Sequence, residues 1–333
     1  MTSTNGGDGK YKGIQNGWFT ETASMWPGQR FSLALKNFSE ESVIYHQQSE
    51  YQNILVFQSA QYGKVFCIDG ILQLTERDEF AFHEMMAHLP LFSHPDPKRV
   101  LIVGGGDGAC LREVCRHKQV KHVTLVEIDP MVIQASREHL KLVPPELFDQ
   151  DPRVEIVLDD AAEYLKDPSN LSKYDVILAD TLDPIGPAES LFEPEFYENI
   201  YSALRPGGIA CMQGETFFIH LNLISDLLGF CKDIFDFAEY ATTMAPSYPC
   251  GQIGFILARK GARKSCRMPI RQCEFQSDLK WYNKSMHQAA FVLPQYIRKE
   301  LSALDNLDDP TIRYDDVVLE DVDDCFLSKC VIQ

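Results

Sequence analysis

Apolar positions along this 333-residue chain follow two different rhythms. From about Phe31 to Thr75 they come in short β-prone runs. Asn53–Gln58, Lys64–Ile68 and Ile71–Thr75 are separated by the turn pairs Tyr62-Gly63 and Asp69-Gly70. Asp-Gly between two such runs is a strong hairpin signal. A small antiparallel meander is therefore predicted over residues 18–77, preceded by a polar, Gly-containing arm over 1–17 that is expected to be flexible. Asp78 to Phe92 predicts a helix with Phe82, Met85, Met86 and Leu89 on one face. His94-Pro95-Asp96-Pro97 breaks that helix and marks a boundary.

Beyond it the rhythm changes. Arg99–Val103, Val120–Ile128, Val154–Leu158, Asp175–Ala179, Gly208–Met212 and Gly251–Ala258 read as strands. Between them lie helical patterns, among them Ala109–Arg116 and Pro130–Leu140, the latter opening with Pro in its first turn. Ile224, Leu227, Leu228, Cys231, Ile234 and Phe235 share one helical face. Strands alternating with helices predict an α/β, doubly wound parallel sheet, with its ligand at the carboxyl ends of the strands. This larger domain is expected to span residues 78–300.

Charge narrows the field of ligands. Lys plus Arg total 31 against 48 Asp plus Glu, a net charge of −17. Such a surface repels nucleic acid and anionic lipid over most of its area. It suits a cationic ligand without demanding one. Hydrophobic residues make up 45% and charged residues 24%, a globular balance that excludes wholesale disorder. No apolar run approaches the ~18 residues of a transmembrane helix, and Met1–Gly17 lacks the apolar stretch of a secretory signal. The ten cysteines form no C-x-x-C pair and have no His at zinc spacing. No metal is expected, and the thiols read as those of a reduced, cytoplasmic protein.

The chemistry gathers at the predicted strand ends. The first strand of the larger domain runs into Gly104-Gly105-Gly106-Asp107-Gly108-Ala109, and Glu127 closes the second. This satisfies the dinucleotide pattern G-x-G-x-x-G/A, with an acid placed to take ribose hydroxyls. Asp107 argues against a dinucleotide, because it would repel the pyrophosphate that lies over such a turn. An adenosyl sulfonium compound with a cationic tail fits better. The third strand ends at Asp159-Asp160, where an acid can accept from an adenine amino group. The fourth ends at Asp180-Thr181-Leu182-Asp183-Pro184. There a general base and a cation anchor can sit three residues apart. Asp107, Glu127, Asp160, Asp180 and Asp183 thus share one edge, a poor way to stabilise a fold and a sensible way to bind polycations.

On these residues the sequence resembles the spermidine synthase family of aminopropyltransferases, its eukaryotic members especially. The resemblance covers about Gly17 to Leu301. It is carried by Trp26-Pro27-Gly28-Gln29, the run from Asp69 to Glu84, Gly104 to Val114, Asp183 to Phe192, Gln213-Gly214-Glu215 and Tyr248-Pro249-Cys250-Gly251. It implies a Rossmann-like sheet of the class I methyltransferase type with a small N-terminal β domain. It also implies transfer of the aminopropyl group of decarboxylated S-adenosylmethionine to putrescine, giving spermidine and 5'-methylthioadenosine. The donor is a co-substrate, and no cofactor or metal is implied. Carried over position by position, Asp180 becomes the proton acceptor. Gln52, Gln73, His83, Asp107, Glu127, Asp160 and Ala161 become donor contacts. Trp26, Phe82, Asp183, Gln213 and Tyr248 become the acceptor slot. A homodimer or tetramer is implied, with the N-terminal strands at the interface.

The chain departs from the family at Phe82, where Tyr is usual, and at Leu182, which replaces a hydroxyl residue beside the base. Asp160-Ala161 and Gly108-Ala109 each carry an extra methyl group. These departures leave open a spermine synthase, a relative resembling putrescine N-methyltransferase, or a weakly active regulatory paralogue. From Leu301 the chain turns acidic, with nine Asp or Glu against two Lys or Arg, and a disordered tail is expected. It ends Cys330-Val331-Ile332-Gln333, a C-a-a-X pattern that would favour farnesylation of Cys330 and hence membrane contact. Its acidic approach opposes this.

Overall fold

The computed structural model describes residues 10–22, 31–183 and 186–302. Trp26 and Cys330 lie outside them.

Two small antiparallel sheets form the N-terminal part. The first comprises β1 (Ile14–Gln15), β2 (Trp18–Thr20) and β3 (Ser32–Ala34). The second comprises β4 (Val43–Gln48), β5 (Asn53–Ser59), β6 (Gly63–Ile68) and β7 (Ile71–Thr75), in that order. At the β6–β7 hairpin Ile68 pairs with Ile71, and Asp69 and Gly70 take φ of 53° and 76°. Two left-handed residues make the turn whose twist matches paired strands.

Helix α1 (Glu79–Ser93) follows and is buried along nearly its whole length. It runs past Pro90, and the His94 N–H still finds the Pro90 carbonyl at 3.0 Å. The central sheet is built from β8 (Arg99–Gly104), β9 (His122–Glu127), β10 (Val154–Leu158), β11 (Tyr174–Asp180), β12 (Leu204–Gln213), β13 (Phe237–Met244) and β14 (Gln252–Arg259). Their spatial order is β10-β9-β8-β11-β12-β14-β13. The first five are parallel, as predicted, and β14 runs antiparallel to both its neighbours. The predicted all-parallel sheet is thus mixed. A short loop joins β13 to β14, and parallel strands need a crossover of a dozen or more residues. The strand β13, Phe-Ala-Glu-Tyr-Ala-Thr-Thr-Met, has no strong apolar signature and was not predicted.

Both faces of the sheet are covered. Val100 and Ile102 of β8 join a core with α1 and α2 (Ala109–Cys115). Leu101 and Val103 point the other way, toward α6 (Pro194–Ala203) and α7 (Phe217–Ile234). Strands buried on both sides explain the unbroken apolar runs that marked them in the sequence. The predicted helix Pro130–Leu140 is α-helical to Ala135 and then widens into a π turn over Ser136–Leu140.

Two contacts draw the N-terminal sheet and the central sheet together. Ser247 donates through its N–H and hydroxyl to Asp78, at 2.7 and 2.8 Å, and Tyr248 donates its phenol to the Gln73 carbonyl at 2.7 Å. Between the sheets lies a cleft.

Candidate active site

The cleft encloses about 1350 Å³, open solvent at its mouth included. Gln52, Gln73, Phe82, His83, Asp107, Glu127, Asp160, Ala161, Asp180, Asp183, Gln213 and Tyr248 all line it. Every sequence-predicted site residue among the described residues is therefore brought to one place.

The glycine turn sets its geometry. Gly104 and Gly105 have φ of 72° and 66°, and the Gly105 N–H reaches the Asp180 carbonyl at 3.1 Å. A Cβ at Gly104 would stand 2.3 Å from that same oxygen. The turn thus crosses against the end of β11 so closely that only glycine fits, and it locks Asp180 in place. Glu127 accepts from the Gly106 N–H at 3.2 Å and the Asp129 N–H at 3.0 Å. Burial nonetheless pushes its carboxyl up to about 7, since two bonds do not replace bulk water. Asp129 in turn takes Gln52 Nε2 at 3.0 Å, tying the N-terminal sheet to this wall. Asp160 caps α5 (Ala161–Lys166) through the Ala162 N–H at 2.8 Å.

A second cluster lies beyond the turn. Polar atoms of His83, Asp107 and Asp180 all fall within 4.8 Å of one another. Asp180 Oδ2 is covered and has no hydrogen-bond partner. Burial and the neighbouring Asp107 raise Asp180 to about 6, while His83 pulls the other way. Burial would strip the proton from His83, but Asp107, Glu79 and Asp180 outweigh it and raise its pKa to about 9. At neutral pH the three therefore present one imidazolium against two carboxyls.

Phe82 and Tyr248 wall the slot that leads away from Asp180, their ring centroids 5.9 Å apart. Phe255 backs Phe82 at 5.5 Å. Leu182 packs against the cluster of Ile54, Phe66 and Leu74 in the N-terminal sheet, so its side chain serves the seam between the sheets. At the far end Gln213 Nε2 donates to Asp183 at 3.3 Å. Buried atoms without partners gather there: Glu21 Oε2, Gln213 Oε1, Glu215 Oε1 and Gln252 Nε2. Burial lifts Glu21 to about 7 and Asp183 well above its ordinary value, and Glu215 adds to the push on Asp183. Acids held this way carry a desolvation cost that an incoming cation would relieve.

The spermine/spermidine synthase domain model matches residues 79–267, and the model described as the spermidine synthase tetramerisation domain matches residues 17–76. The chain belongs to the spermidine synthase family. The spermidine synthase of Dictyostelium discoideum is 49% identical over 294 residues, covering 87% of this chain and 99% of that protein. Spermidine synthase 2 of Arabidopsis thaliana is 42% identical, covering 87% and 86%. Among solved structures, a spermidine synthase in complex with the transition-state analogue AdoDATO superposes with a TM-score of 0.77 at 35% identity, covering 87% of this chain and 96% of that one.

Within this spermidine synthase fold, sequence reasoning missed Glu21, Glu215 and Gln252 in the cleft. Glu21 follows β2, in a segment with no strand-end motif to flag it. Glu215 did carry a signal, since it closes the Gln213-Gly214-Glu215 triplet after β12. Its φ of 56° is left-handed, and its second oxygen is bonded to His220 Nδ1 at 3.1 Å. Gln252 opens β14 and is held by the Thr216 hydroxyl at 2.7 Å.

Proposed function

We propose that this protein transfers the aminopropyl group of decarboxylated S-adenosylmethionine to putrescine, producing spermidine and 5'-methylthioadenosine. The carrying observation is the pairing of two acid clusters across one aromatic slot. One holds the unpartnered Asp180 oxygen, and the other holds Glu21, Asp183 and Glu215. A diamine has two cationic ends, and this slot has acids at both ends, the far ones with pKa raised by burial and brought to the charged form by an incoming ammonium.

Each side chain then has a task. Glu127 takes the ribose hydroxyls and Asp160 the adenine amino group, with Ala161, Gln52 and Gln73 bordering the donor. Asp107 attracts the ammonium of the aminopropyl tail, and His83 stands beside it. Phe82 and Tyr248 flank the acceptor's methylene chain, and the far acids with Gln213 hold its distal ammonium. The proximal amine attacks the donor carbon next to sulfur. A C–N bond forms, the C–S bond breaks, and the sulfonium leaves as a neutral thioether. Asp180 accepts the proton the amine must shed. An ammonium has no lone pair with which to attack, so its proton must leave first; transfer from an amine near pKa 10 to a carboxyl near 6 is uphill in the ground state, and loss of the thioether draws the small free-amine fraction forward. Holding both reactants in line supplies much of the remaining rate.

The donor is consumed as a co-substrate, so the reaction needs no resident cofactor. Assembly runs through the N-terminal segment, as a homodimer or tetramer. No described helix is long and apolar enough to cross a membrane, and the eight cysteines among the described residues are free thiols. We place the enzyme in the cytoplasm.

The test is product analysis with the full chain, labelled decarboxylated or intact S-adenosylmethionine, and a panel of diamines and triamines. Spermidine formed from putrescine and the decarboxylated donor is the expected result. A methylated amine formed from intact S-adenosylmethionine would replace the proposal with the methyltransferase one.

A further inference from the structure

Glu79 is absent from the cleft lining, yet it touches a side chain that is in it. It opens α1, and His83 follows one helical turn later. The His83 ring places Nδ1 2.8 Å from Glu79 Oε2 and Nε2 3.7 Å from Asp107 Oδ1. Both side chains are 5% exposed or less. Glu79 is itself clamped, because Arg112 of α2 donates to its two oxygens at 3.1 and 3.0 Å. Arg112 has no freedom to let go, being tied also to Glu113 at 2.6 Å and to the Leu142 carbonyl at 3.1 Å. The chain Arg112–Glu79–His83–Asp107 therefore runs to the reacting groups, hydrogen-bonded from Arg112 to His83 and closed by a 3.7 Å ion contact to Asp107.

We propose that Glu79 is a positioning residue: held by Arg112, it fixes His83 as a standing positive charge beside Asp107 and Asp180, and so keeps Asp180 ready to accept a proton. Around His83 stand Glu79 on its own helix, Asp107 on the glycine turn and Asp180 at the end of β11. Asp180 also meets Cys110 of α2, and Tyr248 feels both Asp107 and Asp180. Among these groups His83 is the cation nearest Asp180. Without Glu79 the ring keeps Asp107 and Asp180 but loses a hydrogen bond and a charge that offset its burial, so it holds its proton less firmly and Asp180 loses part of the neighbouring positive charge.

The inference deepens the proposed reaction and rests on Asp180 being the proton acceptor, so its first test avoids turnover. In the native chain with isotope-labelled histidine, the His83 ring resonance, assigned with His83→Gln, should stay protonated up to about pH 9. Titration near the free-imidazole value of about 6.5 would overturn the proposal, whether or not the enzyme moves aminopropyl groups. In Glu79→Gln the resonance should titrate well below its native position. The acid limb of kcat should move up by about one pH unit, a ~tenfold loss on that limb. The two profiles should converge above about pH 9, where native His83 also loses its proton. A rate lowered equally at every pH would mark Glu79 as merely structural and refute the role. If Glu79→Gln does not fold, the native titration still decides.

Discussion

Asp180 is held where a carboxylate is least comfortable, and that has a consequence for stability as well as for rate. Its carboxyl lies in the cleft floor with one oxygen covered and unpartnered, and burial with Asp107 raises it to about 6 from the ordinary 3.8. A raised folded-state pKa means the native protein binds the proton more tightly than the unfolded chain does. Stability from this group is therefore fully present below about pH 4, falls through the interval up to about pH 6, and stays lost above it. A shift of this size corresponds to roughly 3 kcal/mol at pH 7; partial solvent access reduces that to roughly 2 kcal/mol. Asp180→Asn removes the charge and keeps the shape. It should unfold at higher denaturant than the native protein at pH 7, with the gain about halved at pH 5 and absent by pH 3.5. Turnover should fall by ~10²-fold or more, the usual worth of a general base, while donor affinity stays close to native. Urea titrations at three pH values and a spermidine assay would measure both arms. An Asn variant that is no more stable at pH 7, or that turns over at near-native rate, would refute the assignment of Asp180 as a strained base.

Asp107→Ala should weaken binding of decarboxylated S-adenosylmethionine and narrow its advantage over the intact donor. The extra carboxylate of the intact donor meets Asp107 at a cost of about 4 kcal/mol at most; calorimetric titration of both donors, finding equal affinities for native protein, would defeat this account. Phe82→Tyr should raise turnover with putrescine by about fivefold, the worth of ~1 kcal/mol for one hydrogen bond to the attacking amine. Steady-state rates on putrescine and on spermidine as acceptors would show it. Gly104→Ala should cost turnover more than it costs donor affinity, because its Cβ would meet the Asp180 carbonyl at 2.3 Å and push the base away; an active variant with native kcat would contradict that close approach.

The half of the site that ends strands was legible in the sequence. Gly104 to Gly108, Glu127 and Asp180 each follow a run of apolar residues buried on both faces, and such runs announce themselves; Asp160 follows the apolar run of the partly exposed edge strand β10. At the far end of the slot Asp183 and Gln213 were legible, but Glu21 and Gln252 were not, because they reach it from segments whose local pattern says nothing about the cleft. Their burial comes from the two sheets meeting, a long-range event. The reversed strand β14 escaped for a related reason. Its apolar run reads the same in either direction, and only the shortness of its loop from β13 fixes the sense. The helix expected over Asp78–Phe92 forms as α1 and runs through Pro90 to Ser93, where the Pro-rich His94–Pro97 stretch follows. Asp69-Gly70, by contrast, is a purely local signal, and the hairpin forms where it stands.

Glu21, Gln52, Leu72 and Gln73 all belong to the stretch matched by the tetramerisation model, and all of them line the cleft. The material that would join subunits is thus also one wall of the chamber where the small molecules meet. The Tyr248 phenol crosses from the other wall to the Gln73 carbonyl, and Gln52 crosses to Asp129, so a shift in those strands would reach the slot through these bonds. A lesion at a subunit contact should then first register as a weakened hold on the diamine, while the central sheet stays folded. In such a molecule a change in subunit packing would reach the substrates through the same few strands that line the cleft.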